Sequence, residues 1–63
     1  MHALLPFVVL TDTHTGNPVA VNLHHVESFE DDEMGTEVTF ASGSAVVVRE
    51  SFEEVVSVLN VQK

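Results

Sequence analysis

Short apolar runs alternate along the chain with clusters of turn-forming residues. Three clusters punctuate it: Asp12-Thr13-His14-Thr15-Gly16-Asn17-Pro18, Asp31-Asp32-Glu33-Met34-Gly35 and Ser42-Gly43-Ser44. Between them β-branched residues dominate, which is strand composition. Residues 7–11 predict a first strand. Residues 19–23 predict a second, with Val19, Val21 and Leu23 on one face and Ala20 and Asn22 on the other. Residues 26–30 predict a third. Val26 and Phe29 break strict alternation there, so a bulge or bend is expected. Residues 36–41 give the cleanest alternation, Val38 and Phe40 inward, Glu37 and Thr39 outward. The Ser42-Gly43 turn then leads into a last strand over 45–49.

The pattern switches to helical spacing after Ser51. Phe52, Val55, Val56 and Leu59 follow the i, i+3, i+4, i+7 spacing of one apolar stripe. Ser51 and Glu54 form a Ser-x-x-Glu capping box, and Glu53 and Glu54 sit in the first turn, where the helix dipole favours negative charge. Valine is a weak helix former, so the helix depends on docking its stripe against the sheet. The predicted fold is one domain over residues 1–63, mainly β with one helix (α+β). It is an antiparallel four- to five-stranded β-meander closed by the C-terminal helix.

One helix covers one face of one sheet. The runs Phe7-Val8-Val9-Leu10 and Ala45-Val46-Val47-Val48 are apolar on both faces, as in strands buried from both sides. A second subunit is the expected cover, which makes a homo-oligomer with Phe7, Val8, Val9, Leu10, Val46 and Val48 at the interface. A strongly curled sheet is the alternative.

Length strengthens that expectation. A chain of 63 residues buries only roughly 60% of the surface that its unfolded form exposes, and small domains need a staple. Cysteine is absent, so disulfides and thiolate metal sites are excluded. Ten acidic residues face only Arg49 and Lys63, a formal net charge of −8. That balance excludes direct nucleic-acid binding and disfavours anionic membranes, while it attracts basic protein partners. The segment Met1-His2-Ala3-Leu4-Leu5-Pro6 has no positive n-region, and its apolar run is too short to span a membrane. The expected setting is a cytoplasm, bacterial or of an infected cell.

Candidate chemistry is sparse. His2, His14, His24 and His25 match no zinc-ligand spacing, and neighbours such as His24 and His25 point to opposite sides if extended. Asp31-Asp32-Glu33 lacks the alternating oxygen ligands of a calcium loop. Neither a nucleophile elbow nor a phosphate-cradling glycine loop occurs. No catalytic residue, resident metal or cofactor is therefore assigned, and the chain reads as a non-enzyme. Arg49, the single arginine, precedes the helix cap. With Ser51 and with His24 or His25 it forms the candidate site for a small anionic ligand, lying between subunits. Pairing of Arg49 with a nearby glutamate is the simpler alternative.

The segment Val21-Asn22-Leu23-His24-His25-Val26-Glu27-Ser28-Phe29-Glu30 resembles the Asn-x-x-x-Ile-Glu-x-Ile-Glu block of the small FlbD family. Glu37-Val38-Thr39-Phe40-Ala41-Ser42-Gly43 resembles the strand and glycine turn that follow, and Val46-Val47-Val48-Arg49-Glu50-Ser51-Phe52-Glu53-Glu54-Val55-Val56 its ending. The resemblance runs from about Phe7 onward. It implies a small non-enzymatic protein associated with flagellar gene clusters, with similar proteins in phage genomes. This chain lacks the lysines that family members carry near the hairpin turns. Together with the two-sided strands and the absence of catalytic motifs, the resemblance points to an oligomerising binding or adaptor module. The alternative is a phage-encoded anti-defence protein that sequesters a nucleotide signal or blocks a basic host protein.

Overall fold

The structure is a computed structural model that describes residues 6–61, with side chains placed through residue 59. His2 and the rest of the N-terminal segment lie outside the described residues. Five strands and one helix follow in the order β1 (Phe7–Thr11), β2 (Pro18–Asn22), β3 (Val26–Asp32), β4 (Gly35–Phe40), β5 (Ala45–Val48) and α1 (Phe52–Val61). A 3₁₀ turn, Leu23–His25, separates β2 from β3. The chain is mostly β with one C-terminal helix, as the patterning predicts.

The strands do not form one meander. β1 and β2 make a two-stranded antiparallel sheet, and β3, β4 and β5 make a three-stranded one. Consecutive pairing fails between β2 and β3 because the chain leaves the extended state at Leu23. The Asn22 side-chain Oδ1 accepts the His24 N–H at 3.0 Å and caps the 3₁₀ turn. The two sheets meet instead through the end of β1. Asp12 bridges Val48, the Arg49 N–H donates to the Thr11 carbonyl at 2.8 Å, and the Thr13 N–H donates to the Val47 carbonyl at 3.0 Å. The expected irregularity in β3 is present as a register shift between Val26 and Ser28. The acidic loop is tighter than its composition suggests. Asp31 and Asp32 belong to β3, and Asp32 pairs with Gly35 across a two-residue turn, where its carboxylate accepts the Met34 N–H.

The hairpin, the three-stranded sheet and the helix enclose one core. Val8 and Leu10 of β1, Val21 of β2, Val38 of β4, Val48 of β5 and Val55 of α1 are buried. Val19, Leu23, Val26, Phe29, Phe40, Val46 and Leu59 pack around them. Helix α1 lies against β3 and β4. Its capping box forms as the sequence predicts, Ser51 N–H to Glu54 Oε1 at 2.8 Å and Glu54 N–H to Ser51 Oγ at 3.1 Å. The buried stripe is narrower than the four-residue pattern. Val55 is fully buried and Leu59 half-buried, while Phe52 and Val56 are exposed.

This packing corrects the reading of the apolar runs. β1 alternates, with Val8 and Leu10 turned into the core and Phe7 and Val9 outward. Val48 is buried and Val46 packs on the core from within the same chain. Four of the six residues expected between subunits therefore already have intramolecular partners. Only Phe7 and Val9, 47% and 67% exposed, remain open to a second molecule.

Candidate functional site

Arg49 and Ser51 sit at the junction where β1, β5 and α1 meet. The side chain that organises this junction is Glu50, between them. Its Oε1 accepts the Thr11 N–H and its Oε2 accepts the Thr11 hydroxyl, both at 2.9 Å. The Glu50 carbonyl accepts the hydroxyl of the fully buried Thr36 at 2.8 Å. One residue thus ties the end of β1, the start of β4 and the entry to α1. Burial acts to raise the Glu50 pKa. The Thr11 backbone and hydroxyl hydrogen bonds, Glu50's own N–H and the Arg49 charge outweigh it, so the carboxyl titrates below its ordinary value.

The sign of that shift gives a testable pH dependence. A carboxyl with a depressed folded-state pKa contributes stability above its unfolded pKa, and the contribution disappears as pH falls through the folded value. Acidification from neutrality to about pH 3 should therefore weaken the domain through Glu50. In a pH series of thermal melts, Glu50→Gln should be less stable than the native chain near neutrality, and the gap should narrow in acid. A gap independent of pH would contradict the ionised junction.

The Arg49 guanidinium lies over the β1–β2 loop. A Cβ built on Gly16 would stand 3.6 Å from its Nη2. The hydroxyl of Ser51 is engaged by Glu54, and Glu53 and Glu54 place two more carboxylates in the first helical turn. That turn is negatively charged and already capped, which weakens it as an anion site. His24 and His25 are exposed on the 3₁₀ turn. The His25 carbonyl accepts the Ala41 N–H at 2.8 Å, so this turn abuts the β4–β5 connection. Arg49 follows Val48, which pairs with Thr36 at the opposite end of the same two strands. One chain therefore does not bring His24 or His25 to Arg49 and Ser51.

Two open grooves flank these elements. One, of about 590 Å³, runs between the β1–β2 loop and the outer side of β5, lined by Asp12, Thr13, His14, Met34, Ala45 and Val47 among others. The other, of about 380 Å³, lies among His25, Phe40, Ala41 and Ser42. Among the described residues, no three His, Asp or Glu side chains converge as a metal site would need.

The outer face of the β1–β2 hairpin has a different character. Phe7 pairs with Asn22, Val9 with Ala20 and Thr11 with Pro18. Neither strand contains a charged residue, so all ten carboxylates of the chain lie elsewhere. At one edge of the three-stranded sheet, β3 carries Glu27, Glu30, Asp31 and Asp32. Phe7 and Val9 were singled out by the sequence, and both are exposed. Ala20 and Pro18 were not, because a small residue and a proline give no signal until their place on a free edge is known.

No protein-family model matches the chain, and no curated protein or solved structure matches it either. Among the described residues, no helix is long and apolar enough to cross a membrane.

Proposed function

We propose that this chain is a non-enzymatic, FlbD-like adaptor that self-associates through its uncharged hairpin and meets a protein partner with the remaining, acidic surface. The supporting observation is the segregation of charge. Phe7 and Val9 stand exposed on a pair of strands that, alone among the described residues, is free of carboxylates, in a chain of net charge −8. Phe7 and Val9 adjoin on one face, with Ala20 opposite Val9; a contiguous exposed apolar patch suits a contact, and like-charged copies approach most easily where neither carries charge. The carboxylates suit a basic partner, in a bacterial cytoplasm or that of an infected cell. The resemblance to the FlbD family supports the adaptor reading, and the anti-defence reading shares the same basic partner. Sequestration of a small anion between subunits by Arg49, Ser51 and His24 or His25 draws less support, since the helix turn beside Arg49 is already capped and carries Glu53 and Glu54.

The test is the solution mass. At concentrations of about 0.1 mM, in the range of modest subunit affinities, sedimentation should give a species heavier than the 6.9 kDa chain. A monomer throughout would remove the reading.

A further inference from the structure

The β1–β2 ladder fixes which backbone groups face outward. Beyond the five strand pairs the same register continues at both ends, with the Leu23 N–H donating to the Pro6 carbonyl at 2.6 Å and the Asp12 N–H to the Asn17 carbonyl at 3.0 Å. Hydrogen-bonded pairs alternate along an antiparallel ladder. Val19 and Val21 therefore turn their N–H and C=O groups toward β1, and Pro18, Ala20 and Asn22 turn theirs away from it. Among the described residues β2 pairs only with β1, so these outward groups form a free edge. Ala20 at its centre is exposed, and Asn22 keeps extended geometry at φ −84° and ψ 111°.

Free edges invite strand addition, and proteins guard them with charge. The β3 edge is guarded by Glu27, Glu30, Asp31 and Asp32, whereas the β2 edge has no charged residue. We infer that two copies of this chain pair antiparallel along β2, about a two-fold axis at Ala20, to make one continuous sheet across the dimer. This rests on the self-association proposed above and places the contact at the β2 edge of the hairpin rather than on the Phe7 and Val9 side chains.

Three features choose a second copy as the occupant. The β2 edge is self-complementary: Ala20 N–H and C=O meet those of the second Ala20, and each Asn22 N–H meets the second copy's Pro18 carbonyl. Pro18 contributes no donor, but it is the first residue of the strand, where proline is tolerated. Two chains of net charge −8 can meet here without setting carboxylates against each other, which the β3 edge does not allow. A basic partner would be drawn to the acidic surface instead. The row Val9–Ala20 then continues across the axis into Ala20 and Val9 of the second copy.

Ala20→Pro tests the edge selectively. It removes the outward N–H, leaves the ladder to β1 intact and keeps a small apolar side chain. The expected result is an unchanged circular-dichroism spectrum with dimerisation weakened on the order of a hundredfold by sedimentation. The Phe7→Ser, Val9→Ser double variant probes the hairpin face instead. Loss of the dimer in that variant, with Ala20→Pro still dimeric, would overturn edge pairing and leave self-association standing. A monomeric native chain would overturn both. Should Ala20→Pro not fold, amide exchange of the native chain decides. Ala20 and Asn22 should exchange on the order of tenfold more slowly at high than at low concentration, and no dependence on concentration would overturn the pairing.

Discussion

Gly35→Ala should remove most of the stability of the domain. Gly35 has φ +151°, and a Cβ there would overlap the Val48 carbonyl oxygen and come within 2.9 Å of the Arg49 carbonyl carbon and oxygen. The obstacle is backbone, so no side-chain rotation relieves it. The turn at Glu33 and Met34 would have to lift away from the end of β5. That would disturb the pairing of Thr36 with Val48 and the 2.8 Å bond from the buried Thr36 hydroxyl to Glu50. Strain, lost hydrogen bonding and lost packing together amount to about 2–4 kcal/mol. A domain of this size has only about 3–5 kcal/mol in reserve. Gly43→Ala is the internal comparison. It shares a positive φ, +98°, but nothing lies within 4 Å of its added Cβ, so only the backbone preference of about 1 kcal/mol is lost. Urea titrations of both variants give the contrast, and equal midpoints would contradict the close approach at Gly35.

Leu10→Ala should cost about 2–5 kcal/mol, comparable to the whole stability of the domain. Leu10 is 1% exposed and packs at the centre of the core with Val21, Val38, Val48 and Val55. Its removal leaves a cavity bounded by strands from both sheets and by the helix, which cannot all close at once. The loss should be independent of protein concentration, since every partner lies in the same chain. A residue at a subunit interface would behave differently, with a destabilisation that is absent where the chains do not associate and grows as concentration rises. Denaturation of Leu10→Ala at two concentrations separates these cases.

That distinction marks where the sequence stopped being legible. The run Phe7-Val8-Val9-Leu10 reads as a strand buried on both faces, and it is a strand, with the bounds the pattern gives. Which of its faces meets the core depends on partners 11 to 47 residues away in sequence, from Val21 to Val55, and composition alone does not encode them. The helix start was legible because a capping box is a local code. The bulge at Val26 and Ser28 was legible because it breaks a local alternation. The 3₁₀ turn was missed because Leu23 continues the alternation of Val19 and Val21, while the deciding contact is the Asn22 side chain on the His24 amide. The junction at Glu50 joins residues 39 positions apart through Thr11, so nothing near Glu50 in the sequence announces it. Of the candidate ligand residues, Arg49 and Ser51 fall together because they are neighbours in the chain. His24 and His25 fall at the far end because the strands between are extended.

The hairpin is where the core ends and where the proposed self-association begins. Its inner face holds Val8, Leu10 and Val21, and its outer face offers Phe7, Val9 and Ala20 without a single charge. Sedimentation equilibrium of the native chain, over a concentration series at low and high salt, tests this most directly. Association through an uncharged face should be strengthened by salt, which screens the repulsion between two chains of net charge −8. A chain that stays monomeric at every concentration, or an oligomer that salt dissolves, would contradict it.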